Sequence, residues 1–311
     1  MTTMIAALAR LRPVRRTRTT SARRRESITA LGMATPAVVL LVVFVVVPLA
    51  LTFALAFTDA RLVSPTPARF VGLDNFTRLF DDPVFFKSLR NTVYFTAVVV
   101  PFQAGLALVL ALLVNAKVRG VNFFRTVYFL PVVTSMVVVS LLWTFLYRQD
   151  GLVNHIISAL TLGHVDGRDW LGDPATSMPA IILMSVWQGV GFHMIIWLAG
   201  LQTIPAELYE AADLDGATRW HRFRHVTWPG LRATRTFVLV TITIQAFGLF
   251  TQINVMTKGG PLDSTTTVVY QAVRAGYEQQ QTAYAAAISL VFFVLVLTVS
   301  LIQRFLTREK D

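Results

Sequence analysis

Long apolar runs alternate with short polar segments over most of this chain. Six runs carry no Asp, Glu, Lys or Arg: Pro36–Phe57, Thr92–Val114, Thr126–Tyr147, Met178–Leu201, Thr236–Thr257 and Thr282–Gln303. A helix rises about 1.5 Å per residue, so about 20 residues cross a hydrocarbon core about 30 Å thick. Each run is that long. Lipid offers no partner for unpaired backbone groups, which leaves helices or closed barrels. Barrel strands are about half this length and alternate in polarity; these runs do not alternate. The pattern predicts an all-α integral membrane protein with about six transmembrane helices. The membrane domain covers 34–306, between a basic tail at 1–33 and a short tail at 307–311.

Composition agrees with that reading. The chain is 54% hydrophobic and only 14% charged, where soluble domains carry about 25% charged residues. Cysteine is absent, so disulfides and thiolate metal sites are excluded. His155 and His164 have no second pair at metal spacing, and no metal site is expected. The net charge of +11 raises the question of nucleic acid, but its distribution points elsewhere. Arg10, Arg12, Arg15, Arg16, Arg18, Arg23, Arg24 and Arg25 crowd the tail before the first run, as a membrane-orientation signal does. With that tail inside the cell, inner segments carry 19 Lys and Arg and outer segments 9; without the tail the counts are 11 and 9. Both termini are expected to be cytoplasmic, and the tail, too polar to bury a core, is expected to lack structure. The first run exceeds the 7–15 residues of a signal-peptide core and is expected to be retained. No nucleic-acid partner is expected; lipid is. The outer loops are long enough for short surface helices.

Segment 203–230 does not read as a passive connection. Pro205 suits the start of a helix. Ala206, Glu207, Leu208, Glu210, Ala211, Ala212 and Leu214 are good helix formers, and Glu207 complements the dipole of the first turn. Gly216 suits the left-handed residue that closes a helix. The sequence predicts a short helix, a sharp turn at Gly216, and a basic aromatic helix ending before Pro229-Gly230. Such an element serves either to dock into a groove on another protein or to lie on lipid.

The spacing Glu210-Ala211-Ala212, three residues, Gly216, nine residues, then Val226-Thr227-Trp228-Pro229 resembles the EAA loop of binding-protein-dependent ABC importer permeases. Val226 stands where the pattern has Ile, and Trp228 where it has Leu. Phe70–Phe76, Arg125–Pro131, Trp187–Phe192, Leu198–Pro205 and Thr257–Pro261 resemble the sugar branch of that family, the maltose and glycerol-phosphate type, and the likeness runs from about Pro36 to Phe305. The resemblance implies an ABC type I importer fold and a coupling element formed by Glu207, Glu210, Ala211, Ala212, Asp215, Gly216 and Pro229. It also implies partners: ATP-binding cassette subunits holding ATP and Mg, a second homologous permease making a heterodimeric pore, and an extracytoplasmic solute-binding protein. The location it implies is the cell membrane.

The spans suggest where solute passes. They contain no carboxylate, and His193 is their one imidazole; it reads as a hydrogen-bonded packing residue. Ion-coupled carriers need buried charges or carbonyl sites, and the chain has no phosphate-binding Gly-x-x-x-x-Gly-Lys motif. Energy is therefore expected from a partner, and no cofactor on this chain. Thr241, Gln245, Gly248 and Gln252 fall on one helical face, as do Ser185, Gln188 and Phe192 beside Gly189. Residues alone leave two readings open, helix-to-helix packing and a solute cavity. The resemblance favours the cavity and gives Gln188, Gly189, Phe192, Gln245, Leu249 and Gln252 as pathway residues, with Ala246 and Leu249 as alternatives to Gln245. Amides suit sugar hydroxyls, and Phe192 or Trp187 offers a stacking face. Competing assignments are the same machinery for glycerol phosphate or another solute, a stand-alone carrier, and a membrane enzyme. An enzyme should show a titratable constellation; Asp166, Arg168 and Asp169 read instead as a solvated turn.

Overall fold

The computed structural model of the protein describes residues 20–115, 120–164 and 167–307. It divides into two compact units, Met1–Thr52 and Phe53–Asp311. In the first, α1 (Thr20–Leu41) passes through one π-helical turn, Val42–Val46, into α2 (Val47–Leu55). The apolar stretch Thr29–Leu55 is long enough to cross a membrane. Helix begins at Thr20, inside the tail expected to lack structure. Ala22, the arginines and Glu26 are good helix formers, and a helix nucleated by the apolar run extends cheaply. The rest of that tail, 1–19, and residues 308–311 lie outside the described residues.

The second unit contains α3 (Asp74–Asp81), α4 (Pro83–Asn115), α5 (Val121–Val133), α6 (Met136–Leu146), α7 (Leu152–Leu160) and α8 (Ser177–Gln202). These are followed by α9 (Ala206–Leu214), α10 (Arg219–Arg222), α11 (Trp228–Gly230), α12 (Arg232–Phe247), α13 (Thr251–Met256), α14 (Val268–Val273) and α15 (Thr282–Thr307). Among the described residues, five helical stretches are long and apolar enough to cross a membrane: Thr29–Leu55, Pro83–Asn115, Ser177–Gln202, Arg232–Met256 and Thr282–Phe305. Short helices α3, α7 and α14 occupy the connecting segments, as the loop lengths anticipate, but α14 is largely buried against α4 and α15.

The third apolar run is not one straight helix. Phe123–Val133 and Met136–Leu146 meet at 97°, with extended backbone at Thr134. Pro131 removes one intrahelical donor and crowds the preceding turn. Val132, Val133 and Thr134, all β-branched, propagate helix poorly. The predicted span Thr126–Tyr147 is thus a bent pair. The fifth run is also interrupted: α12 ends at Gly248, and Phe250, at φ −137°, precedes α13. The Thr267 hydroxyl donates to the carbonyl of Leu249 at 2.8 Å, and so occupies a backbone acceptor at the break.

Helix α8 is the centre of the unit, with side chains such as Ile181, Met184, Met194 and Trp197 fully or almost fully buried. It packs against α4, α5 and α12. The indole of Trp197 donates to the Ala104 carbonyl of α4 at 3.2 Å. Close approach depends on glycine: a Cβ on Gly191 would lie 1.9 Å from the Tyr128 carbonyl oxygen of α5. Hydroxyls inside the spans turn back onto their own helix. Thr92, Thr96, Ser140, Thr243 and Ser289 each donate to the carbonyl four residues earlier, which satisfies them without water.

At one end of the unit, Asp82 gathers segment 257–281 and α15 onto α4. Its carboxylate accepts from Tyr284 Oη at 2.6 Å, Gln271 Nε2 at 3.1 Å and the Val84 amide at 2.8 Å. Asn91 donates to the carbonyls of Asp263 and Thr266. Asn154 joins the start of α7 to the turn at Arg168–Trp170 by accepting from the Arg168 amide and the Trp170 indole. Asp166 of that turn lies outside the described residues.

Candidate functional site

Two features stand out from the packed helices. The first is the 203–230 segment. Helix α9 starts after Pro205 and closes with a left-handed Gly216 at φ +72°. The Gly216 amide bonds the Asp213 carbonyl and the Ala217 amide bonds that of Ala212, the paired geometry of a glycine-closed helix end. Thr218 then caps α10 by accepting from the His221 amide. The predicted end of the second helix before Pro229 does not occur. Helical backbone continues through a π turn at Phe223–Thr227 into α11, Trp228–Gly230. The wide turn lets the Trp228 amide reach the Phe223 carbonyl, accommodating a proline that itself has no donor.

Side chains tie the two arms together. Arg222 pairs with Asp213 at 2.6 Å, and Tyr209 Oη meets Thr227 Oγ1 at 3.1 Å. Gly230 lies against Ile204, where a Cβ would approach to 2.9 Å. Trp228, the departure from the loop pattern, packs between the Phe223 ring at 6.0 Å and the Arg235 guanidinium at 4.5 Å. Glu207, Glu210, Ala211, Asp215, Gly216 and Pro229 are exposed, with Ala212 half-buried. Leu208 is 50% and Leu214 90% exposed, so α9 presents apolar as well as acidic side chains.

The second feature is a cavity of about 400 Å³ between the spans. Gln188 and Gly189 of α8, Gln245 of α12, and Leu249 and Gln252 around the α12–α13 break all line it. Gly248 and Ala246 do too. Both helix interruptions face this space: Met136, the first residue of α6, and Thr251, the first of α13, belong to its wall. Irregular backbone at membrane depth is tolerated where it lines a cavity. No Asp, Glu, Lys, Arg or His lies among the lining residues. Among the described residues, none hydrogen-bonds the amides of Gln188, Gln245 and Gln252. That separates them from packing amides, which bond across helices.

Three expected positions fall elsewhere. Phe192, 38% exposed, sits edge-on to His193 and outside the cavity. Trp187 faces an apolar groove beside the α5–α6 bend, 5.5 Å from Trp143. Thr241 returns its hydroxyl to the Phe237 carbonyl and is not part of the wall. Thr241 lies one turn before Gln245 on the uninterrupted α12, past the end of the cavity, whereas Gln252 beyond the break still lines it. The ring that the cavity does present is Phe95 of α4, and α4 also supplies Val99 and Gln103. These three share a helix face at four-residue intervals. Gln103 is the one amide within the run Thr92–Val114, a signal that was available in the sequence. His193 is fully buried, its Nδ1 2.9 Å from Gln103 Nε2 and 3.0 Å from the Gly189 carbonyl.

Spans broken around an uncharged polar cavity, with a stiff exposed loop at one end, are the parts of a membrane transport subunit. The chain belongs to the family of binding-protein-dependent transport system inner membrane components, which it matches over residues 103–310. It is 37% identical over 272 residues to YurN of Bacillus subtilis strain 168, a probable ABC transporter permease protein, covering 86% of this chain and 92% of that one. It is 36% identical over 280 residues to LacF of Rhizobium radiobacter, a lactose transport system permease protein, covering 88% of this chain and 92% of that one. Among solved structures it resembles a bacterial ABC transporter involved in import of the acidic polysaccharide alginate. The TM-score is 0.78 at 26% identity, covering 91% of this chain and 96% of that one.

Proposed function

We propose that this chain is the membrane-spanning permease subunit of an ATP-driven sugar importer, forming half of the pathway for a sugar delivered by an extracytoplasmic binding protein. The observation that carries it is the exposed, internally braced element Ala206–Gly230 at one end of a bundle whose cavity is polar and uncharged. Helix α9, with Leu214 almost wholly exposed, is the docking surface for an ATP-binding cassette subunit. That subunit holds ATP and Mg and performs the hydrolysis; this chain is not an enzyme. Nucleotide-driven closure moves α9, and the bracing of the loop passes the motion to α8 and α12 as a rigid-body shift. A second, homologous permease completes the pore. The 203–230 loop and both termini face the cytoplasm.

An uncharged sugar fits the cavity better than an acidic polymer such as alginate, since no cation lines it. Its volume lies within the usual range for small-molecule sites, about 300–1,000 Å³. Gln188, Gln245 and Gln252 supply donors and acceptors for hydroxyls, and Phe95 an apolar face.

The test removes Glu210–Ala212 in the complete importer. Sugar uptake is expected to fall to background, and the ATPase to co-purify poorly. Wild-type uptake with normal co-purification would contradict the assignment.

A further inference from the structure

Among the described residues, the cavity wall contains one buried hydroxyl that departs from the rule followed by hydroxyls elsewhere in the spans. Thr92, Thr96, Ser140 and Thr243 donate to carbonyls one turn back. Ser185 lines the cavity, is more than nine-tenths buried, and its Oγ has no partner among the described residues. A buried hydroxyl is costly unless something completes it. The cavity that Ser185 lines is a space from which a partner can reach it.

Gln103 lies on the same wall and is 4% exposed. One half of its amide is engaged by His193 Nδ1 at 2.9 Å. Whichever ring tautomer is present, the other half of the amide is left for the cavity. Gly189 makes room for this arrangement: a Cβ there would lie 2.3 Å from Gln103 Nε2. Glycine in a helix interior is disfavoured relative to alanine, so the clearance is maintained against local preference. A sugar hydroxyl donates and accepts at once. It therefore satisfies either orientation of the amide and the serine as well.

We propose that Gln103 is a specificity-determining residue of the pathway: positioned by His193 and admitted by Gly189, its amide joins the unpaired Ser185 hydroxyl in binding one hydroxyl of the passing sugar. The inference rests on the reading of the cavity as a sugar pathway. Gln103 and Ser185 touch the sugar, whereas His193 and Gly189 act through Gln103.

The test uses the complete importer in proteoliposomes, with its own ATPase, second permease and binding protein. Lactose, maltose, trehalose and diacetylchitobiose are offered first, then monodeoxy analogues of whichever sugar enters. With wild type, one analogue is expected to enter about tenfold more slowly than its parent, the factor set by one typical hydrogen bond. Gln103→Ala and Gly189→Ala are expected to bring that ratio near one while the ratios for other analogues stay put. His193→Phe is expected to do the same, and adding it to Gln103→Ala to change nothing more. Because the binding protein is the same throughout, any change of ratio belongs to the permease. If Gln103→Ala fails to assemble, Gln103→Met, similar in length and apolar, carries the same expectation. Uniform slowing of parent and analogues alike would reduce Gln103 to a packing role and overturn the proposal alone. Failure of the wild-type complex to admit any of the four sugars overturns the sugar reading and the proposal with it.

Discussion

Gly216 sits at φ +72° with open space where a side chain would project. Substitution there carries a backbone cost and no steric one. For an L-residue the left-handed conformation costs about 1–2 kcal/mol, and Asn adopts it more readily than β-branched residues. Gly216→Asn is therefore expected to keep most uptake, and Gly216→Val to lose about tenfold more, read as sugar transported at matched levels of assembled complex. Equal activity of the two would show that the turn is not what the glycine supplies. Gln188 and Gln245 make a different kind of claim. Their amides line the cavity without protein partners, so truncation removes nothing that holds helices together. Gln188→Ala and Gln245→Ala are expected to slow uptake while leaving complex yield and thermal stability unchanged. Unchanged uptake over a range of sugar concentrations would remove them from the pathway. The Arg222–Asp213 pair, by contrast, is partly exposed, and such pairs contribute about 0–1 kcal/mol; the loop's stiffness rests more on the Gly230–Ile204 and Trp228 contacts.

Among the helices, the decisive feature is how closely α8 and α5 approach. The Tyr128 carbonyl occupies the place where a Cβ on Gly191 would stand, and backbone cannot swing aside as a side chain can. Gly191→Ala is expected to force the two helices apart, costing about 1–3 kcal/mol as overpacking does. A lowered melting temperature of the detergent-solubilised complex would report it, while a melting temperature equal to wild type would refute that account of the contact. Gly189 lies two residues away and faces a flexible amide instead, so Gly189→Ala is expected to spare stability. The bend between α5 and α6 belongs to this scale as well. Pro131 and the β-branched residues after it were visible in the sequence, but proline is also tolerated inside continuous membrane helices. Whether the run stays straight or folds back depends on neighbours that can occupy the freed backbone groups, and periodicity does not carry that information.

For the whole molecule, the proposed orientation is open to direct measurement. The chain has no native cysteine, so each introduced thiol is a unique reporter. Leu214→Cys is expected to react with a membrane-impermeant maleimide only after cells are permeabilised, and Ser64→Cys in intact cells. The reverse pattern would place α9 on the outer face and end the coupling proposal.

The apolar runs, the basic tail and the spacing around Gly216 were sufficient for fold class, family resemblance and the first helix and turn of the loop. Each follows from local physics: hydrocarbon thickness dictates span length, and a glycine-closed helix needs only the residues around it. The neighbours of each span face were not legible in the same way. Phe192 and Thr241 carry suitable chemistry but lie outside the cavity. Gln103, on a helix that periodicity did not single out, lies in its wall beside an unpaired serine. In a membrane interior the polarity pattern marks which groups need partners. Which partners they meet is settled by the breaks in α5–α6 and α12–α13 and by the glycine contacts between helices, and those exist only once the helices have packed.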